Sequence, residues 1–459
     1  MEFKEAAGGL PRDIWETYSA FANTEGGEIV LGVKEEPPRH FEVVGVPDPP
    51  AVISQFWTEL RNTQIVERDV MLADGVRRVT VGECEVIVIT VPRVERSEKP
   101  VRVYCKKEKA HVAYVRRGED DLRATDSDIR LMTYDGVSHA DRRPLPDLGM
   151  EHFDPDTIRR YRQIFSVTKS KSPWNGDSDE DFLFHIGALS RWREGSFRAT
   201  TAGLLAFGRE YEITSIYPHY LLDYRRETSG SLRWDDRVVS CGGEWSGNLV
   251  DFYLEVSSRI AANLDAPFST DDRGMLHGSR NPVVESVNEA LVNALVHAYY
   301  GSTGGVSVVL KKDSVVVRNP GGFLIDRKVA IAGGTSEARN PTLMKIFALM
   351  GASDRAGSGM CEIWLTWLNE FGREPMICEG HAPATVELSL PLIRKASSGG
   401  ADGKVASYVR ESGVATAKEV AEGLGIEVRS AQRRLASLYK SGILVRERSG
   451  KAWAYRPSS

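Results

Sequence analysis

Cysteine is scarce: 459 residues hold five, Cys84, Cys105, Cys241, Cys361 and Cys378. The number is odd, the positions are scattered and no C-x-x-C spacing occurs, so neither a disulfide framework nor a zinc site is indicated, and the thiols read as free and buried. Long apolar runs are missing too. None approaches the roughly 18 residues that a membrane span needs, and Met1 to Glu5 has neither the basic start nor the apolar core of a signal peptide. The expected location is the cytosol. A Walker A phrase is absent, which removes P-loop helicase chemistry, and no repeat recurs at a fixed period.

What is present is an ordinary globular composition, 41% hydrophobic and 27% charged, in a chain too long for one core. A length prior of about 150 residues per domain gives three or four domains. The net charge of -5 hides an asymmetry. From Ala401 to Ser459 eleven Lys/Arg stand against six Asp/Glu, a net of +5, which leaves -10 on the other 400 residues. From Arg93 to Arg117 nine basic residues face three acidic ones, a net of +6. Two basic regions suggest two surfaces for a polyanion, since phosphate neutralisation supplies most non-specific nucleic-acid affinity. The plainer reading is a solvated strand pair and a soluble helix face.

The texture of the chain predicts an α+β multidomain protein. An α+β domain occupies residues 1–138 and closes before the Pro-rich stretch 142–147; its strand-like runs include Glu28 to Val33 and Glu85 to Val91. Residues 150–280 read as a helix-rich scaffold in which Tyr220 to Tyr224 is strand-like, and residues 281–393 as another α+β unit opened by a long helix. The Gly/Ser-rich stretch 394–403 is a flexible linker to residues 404–459.

In the tail, Thr416-Ala-Lys-Glu419 is a capping box. A helix over Val428 to Lys440 turns Ala431, Leu435 and Leu438 inward and Arg429, Gln432 and Arg433 outward, with Arg434 beside them. Two strands follow around Arg448-Ser-Gly-Lys451. Three helices and a basic hairpin make the order of a winged helix-turn-helix, which sets its third helix in the major groove, so that Arg429, Arg433, Arg434, Arg448 and Lys451 are candidate DNA contacts; a protein-binding winged helix is the alternative.

The phrases Glu2-Phe-Lys4, Phe21-Ala-Asn-Thr-Glu-Gly-Gly27, Leu31-Gly-Val33 and Val112-Ala-Tyr-Val-Arg-Arg-Gly118 resemble the Schlafen AlbA-like domain, a DNA-binding domain of many bacterial regulators. The resemblance implies nucleic-acid contact by the basic strands, through Arg102, Lys106, Lys107, Lys109, Arg116 and Arg117. In animal Schlafens this domain is a metal-dependent RNA endonuclease with three carboxylates. Carried over by motif, Glu2 and Glu35 are two of them, as catalytic groups and Mg²⁺ ligands beside Lys4, while the third lies ahead of the Glu-Phe-Lys phrase. The alternative makes Glu2 and Glu35 salt-bridge partners of Lys4 or Lys34, with binding and no cleavage.

Further along, Glu289, Asn293 and His297 fall at i, i+4 and i+8 and share one helix face. An amide oxygen can ligate Mg²⁺ while a carboxylate orients water near a γ-phosphate. Together with Asn281-Pro-Val-Val-Glu-Ser-Val-Asn288, Arg318-Asn-Pro-Gly-Gly322, Gly333-Gly-Thr-Ser336, Arg339-Asn-Pro341 and Arg355-Ala-Gly-Ser-Gly359, this face resembles the GHKL ATPase fold, and more closely the C-terminal domain of bacterial RecG-like transcriptional regulators. The resemblance implies an α/β sandwich with ATP and Mg²⁺ as cofactors, held by Asn293, His297, Asn319, Gly321, Gly322, Gly357, Ser358 and Gly359, with Glu289 catalytic. Asn319 stands where the fold has an adenine-reading Asp, which removes charge assistance. The alternative is an inactive fold retained for dimerisation. The combined expectation is a nucleic-acid-binding, ATP-binding, dimeric regulator or defence-associated sensor, with a metal-dependent RNA or DNA endonuclease as the rival.

Overall fold

The computed structural model describes residues 1–36, 40–227, 234–264, 281–334, 337–353, 359–394, 401–440, 443–449 and 452–457. The N-terminal unit starts from β-branched runs that alternate faces. Four strands pair in the order Glu2–Lys4, Gly27–Leu31, Cys84–Val91 and Val76–Val81, the first pair parallel and the rest antiparallel. Because successive side chains point to opposite faces, Ile29, Leu31, Ile87 and Ile89 join the main core while Val30, Val86 and Val88 form a small cluster on the other side. The helix Ile14–Asn23 is buried at every position but Glu16. Its last residue explains the Phe-Ala-Asn phrase: buried Asn23 donates to the Val101 and Tyr114 carbonyls at 3.0 and 2.9 Å and accepts from the Val101 amide at 2.8 Å. That amide pins the helix to the three-stranded sheet of Arg102–Cys105, Ala110–Arg117 and Asp120–Arg123.

The central unit is built on a six-stranded sheet in the order Asp236–Val239, Leu222–Glu227, Val306–Lys311, Ser314–Pro320, Ala384–Pro391 and Met376–His381. Leu222–Glu227 runs parallel to Val306–Lys311, and every other pair is antiparallel. The helices Leu249–Leu264, Pro282–His297, Pro341–Leu349 and Gly359–Phe371 pack together beside it. A single core runs from Leu148 to Leu390. The expected division between a scaffold at 150–280 and a separate unit at 281–393 is therefore corrected: both stretches feed one sheet and one core. A pairing between strands some 80 residues apart leaves no local trace, since register depends on partners and not on neighbours.

In the tail, helices Ala401–Ser412, Ala417–Leu424 and Val428–Lys440 surround Val405, Val409, Val420, Ala431 and Leu435, and strands Ala415–Thr416, Ala452–Pro457 and Leu444–Ser449 form a small sheet. Thr416 and Glu419 cap each other reciprocally at 2.7 and 3.4 Å. The cysteines are free, but the expectation that they are buried is corrected: Cys84, Cys105 and Cys361 are half-buried and Cys241 and Cys378 exposed. Among the described residues no helix is long and apolar enough to cross a membrane.

The N-terminal and central units meet through the helix Asp126–Asp135, which a Thr125/Asp128 capping box starts. At its end Asp135 accepts from Arg339 at 2.7 and 3.1 Å. One residue earlier, the Tyr134 hydroxyl donates to buried Asn340 at 2.8 Å. The Arg339 side chain is 2% exposed and that of Asp135 12%, so removing one charge strands the other in a poorly solvated site. Asp135→Asn is expected to destabilise the protein by about 3 kcal/mol in urea unfolding, and adding Arg339→Met to recover part of the loss. Additive losses would show that the pair is not coupled.

Candidate functional site

The helix Pro282–His297 is started by Asn281, whose side chain accepts from the Val283 and Val284 amides at 3.0 and 3.4 Å, with Pro282 in its first turn. Val287, Leu291 and Leu295 are fully buried on one side. The other side presents Glu289, Asn293 and His297 to a cavity of about 910 Å³ including its mouth. Opposite them stand Val317 and Asn319 from strand Ser314–Pro320, Val386 and Leu388 from strand Ala384–Pro391, and the segment Gly322 to Ile325. Gly359 and Met360 close the end. Six residues singled out from the sequence, Glu289, Asn293, His297, Asn319, Gly322 and Gly359, thus converge on one cavity, largely apolar, with a few placed polar groups.

Gly321 lies just behind that wall at φ 95°, where a Cβ would strike the Arg339 guanidinium; it makes room for Arg339 and does not line the cavity. Gly357 and Ser358 lie outside the described residues. Gly359 begins its helix against the Glu289 carboxylate, where any side chain would collide with it. Ser353 also donates to Glu289 Oε1, at 3.3 Å. The Asn319 side chain is buried and its Nδ2 donates to the Pro320 carbonyl at 3.2 Å, which leaves its amide oxygen for a ligand amino group.

Arg339 donates to the carbonyls of His297 and Gly322, the latter at 3.0 Å, while paired with Asp135. Burial first, and the Arg339 charge second, push the His297 imidazole down to about 4. His297 is therefore neutral at physiological pH. In the sequence, Arg339-Asn-Pro341 stands out only as a phrase shared with the resembled domain, without a role of its own. An Arg at such a place carries no periodicity signal, and its partners come from three separate segments.

In the N-terminal unit, Glu2 accepts from Arg116 at 2.9 Å and lies 3.7 Å from Lys4, whose ammonium also meets Asp13 at 2.6 Å. Glu35 is exposed on strand Val33–Glu36 and pairs across to Phe41, whose ring packs on Phe3. Lys106, Lys107 and Lys109 are exposed. Arg102 pairs with Glu67 at 3.4 Å, Arg116 also with Asp121 at 2.8 Å, and Arg117 with Asp128 at 2.8 Å. Three of the six basic candidates there are thus partly neutralised within the fold. In the tail, Arg429, Arg433 and Arg448 are exposed, and Arg434 is half-buried, its Nε donating to Ser430 Oγ at 3.3 Å. Lys451 lies outside the described residues.

A depressed His pKa implies stability present above about 6.5, the unfolded value, and lost as pH falls towards about 4. The difference in unfolding free energy between the wild type and His297→Asn should therefore shrink across that interval by up to about 3 kcal/mol. A difference that stays flat with pH would contradict the assignment.

Three family models match parts of the chain: "Schlafen, AlbA_2" over residues 1–125, a domain of unknown function, DUF8451, over 130–223, and "Putative ATP-dependent DNA helicase recG C-terminal" over 304–388. No curated protein matches. Among solved structures, the DIP2311 protein from Corynebacterium diphtheriae aligns over 100% of this chain and 91% of its own at 18% identity and a TM-score of 0.44. The N-terminal domain of "Putative ATP-dependent DNA Helicase RecG-related Protein" from Nitrosomonas europaea covers 27% of this chain and 82% of its own at 26% identity and a TM-score of 0.21. The chain is thus similar over residues 1–125 to the Schlafen AlbA_2 domain and over residues 304–388 to the recG C-terminal HATPase domain, a pairing of a nucleic-acid-associated and an ATPase-like domain.

Proposed function

We propose that this protein is an ATP-binding regulator or defence-associated sensor that holds nucleic acid through its two terminal units and acts as a homodimer. The observation that carries the nucleotide half is the convergence of Glu289, Asn293, His297 and Asn319 around one apolar-lined cavity. The donor set fits Mg-ATP. Ala290, Ala294, Val317, Leu324 and Leu388 suit a purine face, the Asn319 oxygen suits an exocyclic amine, and the Asn293 oxygen suits a hard cation. Bound Mg-ATP supplies a phosphoanhydride whose hydrolysis requires an oriented water, the role Glu289 fits. Neutral His297 offers a hydrogen bond and no charge.

For the tail, a winged helix reading rests on the exposed Arg429 and Arg433 of helix Val428–Lys440 and on the hairpin beside it. There Arg446 lies 4.5 Å from the ring centres of both Tyr439 and Trp453, and Arg448 lies 5.7 Å from that of Trp453. Dimerisation would let two such tails read paired half-sites. The nuclease alternative, with Glu2, Glu35 and Lys4 at its centre, draws no support from the geometry. Glu2 is committed to Arg116 and Lys4.

Two experiments test this reading. Mg-ATP at about 100 times its dissociation constant should stabilise the protein by about 2.7 kcal/mol in thermal unfolding, and Asn293→Ala should remove the Mg²⁺-dependent part; a melting temperature indifferent to Mg-ATP refutes the nucleotide half. Duplex DNA affinity should fall linearly on a log–log salt plot, with R429A/R433A shallower by about 2 in slope. A salt-independent affinity would sink the nucleic-acid half.

A further inference from the structure

Between the N-terminal and central units lies a recess of about 1550 Å³ including its mouth, larger than the nucleotide cavity and lined by neither Lys106 nor Lys107. One wall comes from residues 23–25, 93–99 and 131–135, the other from residues 322–328 and 379–384. Seven of its lining residues are Lys or Arg and four are Asp or Glu, a local excess of three positive charges in a chain whose net charge is -5.

The cations divide into two kinds. Arg93, Arg96, Arg116 and Arg339 are each paired with a carboxylate, Glu25, Glu337, Glu2 and Asp135 respectively. Lys99, Arg327 and Lys328 form no ion pair with a described residue. Lys99 is half-buried and instead donates to the main-chain carbonyls of Asn23 and Thr24 at 2.5 and 3.5 Å. Burial first, then the nearby Arg93, lower its ammonium to about 8, a cost that an anion in the recess would relieve. Arg327 and Lys328 are exposed on the opposite lip. Phe323 is half-buried and belongs to the walls of both the recess and the nucleotide cavity.

We propose that this recess is a binding site for the sugar–phosphate backbone of a single nucleic-acid strand, with Lys99, Arg327 and Lys328 meeting phosphates and Phe323 offering a face on which a base stacks. Cations on two facing walls with an aromatic on one of them suit a strand whose bases are unpaired, because stacking on a side chain requires a free base face. A duplex carries its phosphates on a broad convex surface and its bases inward, so it meets exposed lips but not half-buried Lys99. The proposal rests on the nucleic-acid reading above and adds to it a location and a preference for one strand.

The test uses the full-length protein and fluorescein-labelled oligothymidylate, read by anisotropy, with ultraviolet crosslinking and peptide mapping alongside. R327E/K328E, at exposed positions, is expected to weaken strand affinity at least tenfold and to reduce the log–log salt slope by about 1.4. Crosslinks on the wild type should map to peptides spanning 321–328 or 93–99. R429A/R433A separates the two proposals. If it weakens binding while R327E/K328E does not, and crosslinks fall outside the recess, the recess proposal is overturned and the nucleic-acid reading stands. A wild type that binds no strand at low salt overturns both. Should Lys99→Gln weaken duplex as much as single strand, the single-strand assignment is wrong, and should Phe323→Ala leave affinity and crosslinks unchanged, so is the stacking role.

Discussion

The buried guanidinium of Arg339 is the constraint around which the rest is arranged. A charge that is 2% exposed persists only when its donors are satisfied, and this one draws its partners from three places: Asp135 at the end of an N-terminal helix, the carbonyl of His297 at the end of the site helix, and the carbonyl of Gly322 in the cavity wall. Its charge adds to the burial that keeps His297 uncharged, and its bulk explains why position 321 has no side chain. Domain contact, site electrostatics and backbone conformation are thus set by one planar cation, whose fork of donors a Lys could not reproduce.

Much of the site was legible because it lies on a helix. The i, i+4, i+8 spacing of Glu289, Asn293 and His297 predicts a shared face, and that face lines the cavity. Asn319 and Gly322 came from a matching phrase and sit across from it. What escaped was everything made by long-range pairing. Tyr220 to Tyr224 reads locally as a strand inside a helical stretch, but nothing in the residues of Leu222–Glu227 announces a parallel partner at Val306–Lys311. Asp135, Arg339 and Phe323 were missed for the same reason, since each matters through residues far away in sequence.

Charge counting was right about excess and less right about position. Of the basic residues between Arg93 and Arg117, Lys106, Lys107 and Lys109 stand exposed as expected, but Arg116 and Arg117 hold the unit together through Glu2, Asp121 and Asp128. Arg116 also stacks 5.4 Å from the centre of the Phe21 ring. A tally of cations does not distinguish a solvated lysine from an arginine held in a fork, because that depends on carboxylates supplied by other strands. The Asn of the Phe-Ala-Asn phrase shows the converse: read as family signature, Asn23 is a buried pin between a helix and a sheet.

The stretch that matches a family model, 304–388, is not the stretch that can stand by itself. Excised, it would leave behind the helix bearing Glu289, Asn293 and His297, and the edge of Val306–Lys311 would lose Leu222–Glu227 as its hydrogen-bonding neighbour. An open strand edge with a stripped apolar face invites pairing with other copies. A fragment cut at those bounds would therefore clump before it could be asked about nucleotides. The smallest piece worth expressing reaches back past residue 222, into sequence that no ATPase signature marks.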